Sequence, residues 1–286
     1  MSKLLNAKPI VEKSIDSLQK RCGQLKIEGL EPKMAVILVG NSQASLTYIK
    51  NKKKLCQEIG ASFELFHLDQ NISEADFLKQ VESINNDSKV TGFFIQLPLP
   101  KSLSHLNISK LVDPKKDVDG FHPNSSNALY LNKENAFIPC TPKGILKLLS
   151  FYNLDIEGKN IVIIGRSLIV GKPLSLLLSN KNATVTLCHS KTKNIKQHTK
   201  NADIIISAVG NSKFLTAEYL SENKPVIIDV GINRDENDKL CGDIDFESVK
   251  DKVSAITPVP GGVGPLTVLS LMENLIQATE NILKGK

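Results

Sequence analysis

Short apolar runs rich in β-branched residues alternate with helical patterns along most of the chain. In the first half, strands are predicted at 34-MAVILV-39, 62-SFELFHL-68 and 90-VTGFFI-95. Helices are predicted between them, over roughly 44–59 and 73–86, the second opened by the capping-box sequence 73-SEAD-76. Continuous apolar strands that alternate with helices are typical of a parallel sheet covered on both faces.

The same alternation returns in the second half, after the polar, turn-rich stretch 113-DPKKDVDGFHPNSSN-127. The segment 139-PCTPKG-144 starts a helix, with Thr141 as the expected N-cap and Pro142 at the first helical position. Later strands are expected at 160–165, 183–188, 203–209, 225–231 and 253–256, and helices from about 172, over 191–200 and over 265–284.

The predicted fold class is therefore α/β with two domains. We assign an N-terminal parallel-sheet domain to residues 1–120 and a C-terminal Rossmann-like domain to residues 140–271. Because clefts between two domains commonly hold ligands, the active site is expected in the cleft between these two.

Composition narrows the class of protein without changing this prediction. The 286 residues carry a net charge of +6, which mildly favours anionic ligands. Nucleic acid is not expected as a partner, because the lysines are scattered, aromatic residues make up only 5% and the run 50-KNKKK-54 stands alone. The five widely spaced cysteines form no CxxC, so neither a disulfide framework nor a metal site is predicted. Without a membrane-length apolar run or a signal-peptide pattern in the sequence, a cytoplasmic location is expected.

The second half contains a candidate dinucleotide site. The strand 160-NIVIIG-165 runs through 165-GRSLIVGKP-173 into a helix, an arrangement that aims backbone N–H groups at a pyrophosphate. No Asp or Glu occurs from Gly165 to Ala202, whereas NAD enzymes usually place an acidic residue about 20 residues on. Arg166, Ser190 and Lys191 suit a 2′-phosphate instead, which favours NADP over NAD. Two alternatives stay open: the glycines serve only the turn and its packing, and the missing acidic residue is a coincidence.

The first half contains a candidate chemical site. Ser45, Tyr48 and Lys52 lie at i, i+3 and i+7 of the helix that follows the first strand, so they form one stripe. An aromatic ring beside an amine suits stacking on a flat ligand and proton transfer near it. Gln96 directly follows a buried strand, at the end where open α/β sheets present ligand groups. A tyrosine at the edge of the core and a lysine in solvent would produce the same pattern.

Two loops leave similar alternatives open. The segment 117-DVDGF-121 offers two carboxylates, either for the edge of a heterocycle or merely for a turn. The segment 257-TPVPGGVGPLT-267 combines glycines that free the backbone with prolines that fix it. It is either a turn before the last helix or a shaped backbone wall for a flat ligand.

Taken together, these segments resemble the bifunctional methylenetetrahydrofolate dehydrogenase/methenyltetrahydrofolate cyclohydrolase family, also called FolD. The matching segments occur in the family's order and cover nearly the whole chain: 45-SLTYIKNK-52, 94-FIQLPLP-100, 117-DVDGFHP-123, 139-PCTPKG-144, 165-GRSLIVGKP-173, 187-LCHSKT-192 and 257-TPVPGGVGPLT-267. The QLPLP and PGGVGP segments are highly specific. Leu266, where the family usually has Met, is a small departure that removes no reacting group.

The resemblance implies a folate-binding catalytic first domain, on which the helix 268–286 is able to pack back, and an NADP-binding second domain. It implies catalytic roles for Lys52, Gln96 and Tyr48, with Tyr48 stacked on the pterin. The implied folate-binding residues are Tyr48, Ser45, Asp119, Gln96, Pro260, Gly261 and Gly262. The implied cofactor-binding residues are Gly165, Arg166, Ser167, Ser190 and Ile232. No metal is implied, and the family is expected to form a homodimer.

The implied reaction oxidises 5,10-methylenetetrahydrofolate with NADP and hydrolyses the methenyl product to 10-formyltetrahydrofolate. Two alternatives remain: another NADP-dependent dehydrogenase on a similar scaffold, and a dinucleotide-binding regulator without chemistry. The first must treat QLPLP, DVDGF and PGGVGP as coincidences. The second would be favoured by loss of Tyr48, Lys52, Gln96 or Asp119, and all four are present.

Overall fold

A computed structural model describes residues 2–134 and 136–285, without the side chain of Ala44. The strands are β1 (Lys3–Leu4), β2 (Lys33–Val39), β3 (Ser62–Leu68), β4 (Gly92–Ile95), β5 (Asn160–Ile164), β6 (Thr184–Cys188), β7 (Ile204–Ser207), β8 (Val226–Asp229), β9 (Asn233–Arg234), β10 (Leu240–Cys241) and β11 (Ala255–Ile256). The helices are α1 (Lys8–Ile27), α2 (Gln43–Glu58), α3 (Glu74–Asn86), α4 (Pro123–Tyr130), α5 (Cys140–Phe151), α6 (Gly171–Ser179), α7 (Ile195–Thr199), α8 (Phe246–Val249) and α9 (Val263–Lys284).

The chain divides into two compact units. One, the six-strand unit, comprises Met1–Val11 and Thr141–Thr267; the other, the three-strand unit, comprises Glu12–Cys140 and Val268–Lys286. The range 1–120 predicted for the first domain therefore ends short of the observed Cys140 and also differs from the observed unit at its start. The reason is that β1 adds to the sheet of the second half, where Lys3 pairs with Ala255.

The six-strand unit is built on a parallel sheet in the order β1-β11-β8-β7-β5-β6. All four residues of both β7 and β8 are buried, the first three of each being apolar and the last being Ser207 and Asp229. A small antiparallel hairpin, β9–β10, stands apart from this sheet. Because the strands are parallel, the loops that follow β5, β7 and β8 emerge at one edge, where ligand groups are presented in such sheets.

The three-strand unit is built on a parallel sheet in the order β3-β2-β4. The central strand, β2, is buried in six of its seven positions, with Met34 opposite both Phe63 and Gly92. An added Cβ on Gly92 would lie 2.6 Å from a Val118 methyl group and 2.7 Å from one of Leu275, so α9 packs closely over β4. These contacts fix the start of the segment that carries Gln96.

Helix α1 was not predicted from the sequence. Its buried residues Ile10, Leu18, Cys22 and Leu25 form a single stripe, whereas most of the remaining residues are polar and exposed. From Leu18 onward the stripe belongs to the three-strand unit, where Arg21 also makes two hydrogen bonds of 2.9 and 2.8 Å to the carboxylate of Glu280. Tertiary packing and this ion pair stabilise a helix whose own sequence signal is weak.

Most predicted boundaries agree with the structure to within two residues. At the start of α5, however, the residues predicted as N-cap and first helical position have other positions in the helix. The helix begins at Cys140, so Thr141 is not the N-cap and Pro142 is the third helical residue. The first turn of a helix has no internal partner for its N–H groups, so proline is accepted there without losing a hydrogen bond.

None of the described helices combines the length and the apolar character that crossing a membrane requires.

Candidate active site

One face of α2 carries the three side chains singled out from the sequence. The helix begins after Ser42, whose hydroxyl accepts a hydrogen bond from the Ser45 N–H at 3.4 Å. Ser45 is buried, Tyr48 is half-buried and Lys52 is only 9% exposed. A lysine in solvent is thus excluded, because the Lys52 side chain is covered almost entirely.

Lys52 meets two residues at the end of β4. Its Nζ donates to Oε1 of Gln96 at 3.2 Å and lies 3.9 Å from the centre of the Phe94 ring. Backbone pairing continues one residue past the strand, since the Gln96 N–H donates to the Ile37 carbonyl at 2.9 Å. Residues two apart in an extended segment share a face, so Phe94 and Gln96 both point toward the amine. The other end of the Gln96 amide donates to the Leu97 carbonyl at 2.8 Å, which orients Oε1 toward Lys52.

Asp119 is the third polar group of this cluster. Burial raises the pKa of its carboxyl group, while the positive charge of Lys52 opposes that rise. The Cys140 thiol is 3.8 Å from its Oδ1. Phe94 and Asp119 also line the same small cavity, so the amine, the ring and the carboxyl group share one environment.

Asp117 plays a different part from Asp119, although both belong to 117-DVDGF-121. The Asp117 carboxylate is buried and accepts from the N–H groups of Phe121 and His122, at 3.1 and 2.8 Å, and from the Ser125 hydroxyl at 2.8 Å. These bonds close the turn and anchor α4. Both carboxylates of this motif line the small cavity, but the oxygens of Asp117 are engaged by the turn and by α4.

Tyr48 stands four residues before Lys52, one turn away on the same face of α2. Burial raises the pKa of its phenol, so the ring is neutral at physiological pH. A neutral, half-buried ring suits stacking against a flat ligand.

The six-strand unit forms the strand–turn–helix arrangement at β5, the following loop and α6. Gly165 has φ of +120°, and an added Cβ would overlap the Ala208 carbonyl oxygen. At Gly171 an added Cβ would overlap the carbonyl oxygen of Gly165. The Ser167 hydroxyl accepts from the N–H groups of Val170 and Gly171 at 3.1 and 3.4 Å, which shapes the turn before the helix. Both glycines are therefore required by the close approach of backbone at this turn.

Arg166 and Ser190 follow neighbouring parallel strands, β5 and β6. The Gly165 N–H donates to the Cys188 carbonyl at 2.9 Å, which ties the two strand ends together. Both side chains are exposed, as is Lys191, so this edge presents a cation pair and a hydroxyl to solvent. These are the donors that a phosphate group requires. Ile232, which follows β8 at the same edge, is 47% exposed although apolar.

The proline–glycine loop forms the turn before the last helix, and its role as a wall for a flat ligand stays a prediction. Gly261 has φ of +106°, and its carbonyl accepts from the Ala7 N–H at 2.8 Å. An added Cβ on Gly262 would lie 2.5 Å from the Pro258 carbonyl oxygen and 2.8 Å from the Thr257 Cβ. Helix α9 then begins at Val263, two residues before the proline at which we predicted it. The loop is a tight turn whose backbone is fixed on both sides of Pro260.

Within the three-strand unit the structure thus brings together Lys52, Gln96 and Asp119, with Ser45 and Tyr48 on the same helix face as Lys52. Within the six-strand unit it places Gly165, Arg166, Ser167, Ser190 and Ile232 at one edge of the sheet. The sequence analysis missed Phe94, which the period of two with Gln96 could have identified, and the anchoring role of Asp117. The position of a site in a cleft between the domains stays a prediction.

Two family models match nearly the whole chain. The model described as the catalytic domain of tetrahydrofolate dehydrogenase/cyclohydrolase matches residues 5–119. The model described as its NAD(P)-binding domain matches residues 139–283. The two halves of the chain are thus matched by the two domains of one family.

Individual relatives agree with this assignment. A protein from Agathobacter rectalis named bifunctional protein FolD is 49% identical over 97% of this chain and 99% of its own. A crystal structure of the bifunctional FolD methylenetetrahydrofolate dehydrogenase/cyclohydrolase from Campylobacter jejuni has a TM-score of 0.95 and 44% identity, covering 99% of this chain and 100% of its own. The Trypanosoma brucei dehydrogenase-cyclohydrolase, complexed with NADP and an inhibitor, has a TM-score of 0.92 and 28% identity and covers 99% of each chain. The chain belongs to the tetrahydrofolate dehydrogenase/cyclohydrolase family.

Proposed function

We propose that this protein oxidises 5,10-methylenetetrahydrofolate to 5,10-methenyltetrahydrofolate with NADP and then hydrolyses the product to 10-formyltetrahydrofolate. One observation carries this proposal: a buried lysine amine held by the Gln96 carbonyl oxygen and the Phe94 ring, beside the Asp119 carboxyl group. Such an amine is suited to acid–base work on a bound substrate. A regulator without chemistry has no need of it.

The six-strand unit fits NADP. Gly165 and Gly171 allow the close-packed turn from β5 into α6, the arrangement that presents backbone N–H groups to a dinucleotide pyrophosphate. Arg166, Ser167 and Ser190 would hold the phosphates, and Ile232 would give the nicotinamide an apolar wall. When bound, NADP accepts the hydride that leaves the methylene carbon.

The folate would be held by residues of several kinds. Tyr48 offers a neutral ring for the pterin, and Asp119 offers oxygen acceptors for the N–H donors at the pterin edge. Ser45 and Gln96 add polar groups near the reacting carbon. The backbone around Pro260, Gly261 and Gly262 would supply a preorganised wall. Positioning is most of what hydride departure needs, because the nitrogen lone pairs of the substrate drive it.

Hydrolysis needs proton transfer. Water adds its oxygen to the methenyl carbon and loses a proton. The bond between that carbon and N5 then breaks, N5 gains a proton, and the added hydroxyl releases its own proton to solvent as its oxygen becomes the formyl carbonyl. Lys52 Nζ is placed to take up the first proton and to return the second, and Gln96 holds the amine in one orientation. The Phe94 ring favours the charged ammonium when the amine carries the proton.

The direct test uses the purified protein with 5,10-methylenetetrahydrofolate and NADP. Reduction of NADP, followed by formation and decay of the methenyl compound in absorbance, is the expected result. An absence of NADP reduction would refute the dehydrogenase assignment. A methenyl compound that decays no faster than it does without protein would refute the cyclohydrolase assignment.

We also propose a homodimer that binds no nucleic acid and resides in the cytoplasm. The described cysteines are all free thiols, four of them buried, which suits a reducing compartment. The scattered lysines leave no basic stripe for a nucleic-acid backbone. Light scattering of the purified protein tests the dimer.

A further inference from the structure

Two buried carboxylates lie at the end of β8 and just beyond the β9–β10 hairpin. Asp229 is 4% exposed and Asp243 is fully buried. The partners that the structure describes for them are N–H and O–H groups rather than cations. Burying carboxylates in this way is costly unless their oxygens are fully hydrogen-bonded, so the surrounding backbone must be arranged around them.

Asp243 holds the segment that follows β7. Its Oδ2 accepts from the Ser207 hydroxyl at 3.1 Å and the Val209 N–H at 2.7 Å. Its Oδ1 accepts from the Asn211 N–H at 2.9 Å and the Asn233 side-chain amide at 3.0 Å. The segment held in this way includes residue 208, whose carbonyl oxygen lies directly against the first glycine of the dinucleotide turn.

Asp229 holds the segment that follows β8. Its Oδ1 accepts from the N–H groups of Gly231 and Asp243 at 3.0 and 2.9 Å, and its Oδ2 accepts from that of Ile244 at 3.0 Å. Gly231 immediately precedes Ile232, the exposed apolar residue at this edge of the sheet. Asp229 therefore determines where the backbone of Ile232 leaves the strand.

Two glycines leave room for these carboxylates because they have no side chain. An added Cβ on Gly231 would overlap Oδ1 of Asp243, and one on Gly242 would overlap Oδ2 of Asp229. Seven donors point at four carboxylate oxygens. An asparagine at either position would replace one acceptor oxygen by an N–H₂ group that faces donors.

We infer that Asp229 and Asp243 are positioning residues for the nicotinamide cofactor, acting through the backbone of residues 208–211 and 230–232. The inference rests on the proposed function, because it assumes that these segments border NADP. Neither carboxylate touches a reacting atom. Together they fix two loops of one binding edge against each other, and a shift of either loop changes cofactor binding.

The test compares Asp229→Asn and Asp243→Asn with the wild type. Leaving one buried donor unpaired weakens a site by roughly tenfold or more, so the KM for NADP is expected to rise by about that factor. Hydrolysis of methenyltetrahydrofolate, supplied directly and without NADP, is expected to stay within about twofold, because Lys52 and Gln96 are untouched. An unchanged KM for NADP, or an equal loss of both activities, would overturn the inference.

Two further variants guard against loss of fold and loss of charge as explanations. Asn233→Ala removes a single donor from Asp243 and is expected to raise the KM for NADP in the same direction by a smaller factor. Asp245→Asn removes a charge two residues from Asp243, at a position without a side-chain capping bond, and is expected to change neither activity. A normal KM in Asn233→Ala together with a raised one in Asp245→Asn would contradict the assignment.

Calorimetric titration with NADP separates this inference from the proposed function. If the wild type binds NADP but reduces none, the proposed function fails while the variants still test positioning. Weaker NADP binding in both aspartate variants supports the inference in that case. Equal affinities would reject it.

Discussion

The amine of Lys52 donates to the carbonyl oxygen of Gln96 at 3.2 Å, joining a helix and the end of a neighbouring strand across 44 residues of sequence. The hydrogen bond fixes the direction of a flexible side chain. It thereby prepares the proton-transferring group before substrate arrives, which lowers the cost of reaching the reactive arrangement.

Replacing Lys52 by methionine should abolish the cyclohydrolase step while the fold survives. Methionine fills the same space and removes the proton-transferring amine, and general acid–base catalysis contributes about 100-fold or more. The measurement is the decay of methenyltetrahydrofolate, with the melting temperature recorded alongside. Lys50→Met, at an exposed position on the same helix, is the matched control and should hydrolyse normally. Unchanged hydrolysis in Lys52→Met would remove Lys52 from its proposed role.

The affinity for folate should fall as the pH is lowered, and Asp119 should be the cause. Burial raises the pKa of its carboxyl group, so protonation begins at a higher pH than for an ordinary aspartate. The protonated form accepts fewer hydrogen bonds, so the KM for the folate rises as the pH falls through that pKa. In Asp119→Asn the KM should be high and no longer vary over this range, whereas the exposed control Asp16→Asn should retain the wild-type profile. A pH-dependent KM that survives in Asp119→Asn would assign the effect to another group.

The pH dependence of the free energy of unfolding should reveal the ionisation of Asp229. Burial raises the pKa of its carboxyl group from 3.8 to about 6, so between these values the folded state binds more protons than the unfolded state. The free energy of unfolding contributed by this group therefore falls as the pH rises from about 4 to about 6, by up to ~3 kcal/mol. Urea unfolding of the wild type and Asp229→Asn at several pH values measures the difference between them. A parallel pH dependence in the two proteins would contradict the expected linkage.

Arg166 should select NADP over NAD. A hydrogen bond to a charged group contributes about 1.5–3 kcal/mol, so Arg166→Ala should raise the KM for NADP by about tenfold to 100-fold. The KM for NAD, which lacks the 2′-phosphate, should stay nearly constant. Lys181→Ala, which removes an exposed charge just beyond α6, serves as the control. Equal losses with both cofactors would show that Arg166 binds some group other than the 2′-phosphate.

Gly262→Ala should weaken binding of substrate or cofactor more than it lowers the melting temperature. The new methyl group would meet the Pro258 carbonyl at 2.5 Å, so the loop must shift, and a shifted wall no longer fits a flat ring. Gly264→Ala is the control, because an added Cβ there meets nothing within 4 Å and lies inside α9. A large loss of melting temperature with normal KM values would identify the loop as a turn alone.

The sheets were predictable because the strands of a buried parallel sheet are continuous apolar runs, as in β2, β7 and β8. Helix α1 was missed because its apolar stripe is narrow, and its ion pair through Arg21 joins residues distant in sequence. Strand β1 has only two residues and takes its conformation from β11, so no local pattern predicts it. Elements stabilised locally were found, and those stabilised by distant partners were not.

For the candidate site too, the sequence indicated the residues set by local patterns and missed the roles that depend on distant contacts. Lys52 was singled out because it continues a helical stripe with Ser45 and Tyr48, and Gln96 because it follows the carboxyl end of a buried strand. Phe94 was overlooked because an aromatic residue in a strand is ordinarily part of the core. The roles of Asp117 and of the Asp229–Asp243 pair depend on donors from loops whose shape no periodicity describes. The sequence therefore contains the least information about residues whose partners are loop backbone groups.

The pairing of Lys3 with Ala255 has a consequence for synthesis in the cell. During translation, residues 3–4 emerge long before residues 255–256. Strand β1 must therefore wait for β11, its pairing partner, until most of the chain has been made. The ribosome delivers chain at about 5–20 residues per second, which makes this wait longer than the closing of any local turn. Ordering of β1 therefore requires that β11 has been made, and a fluorophore beside β1 would record when the two strands pair.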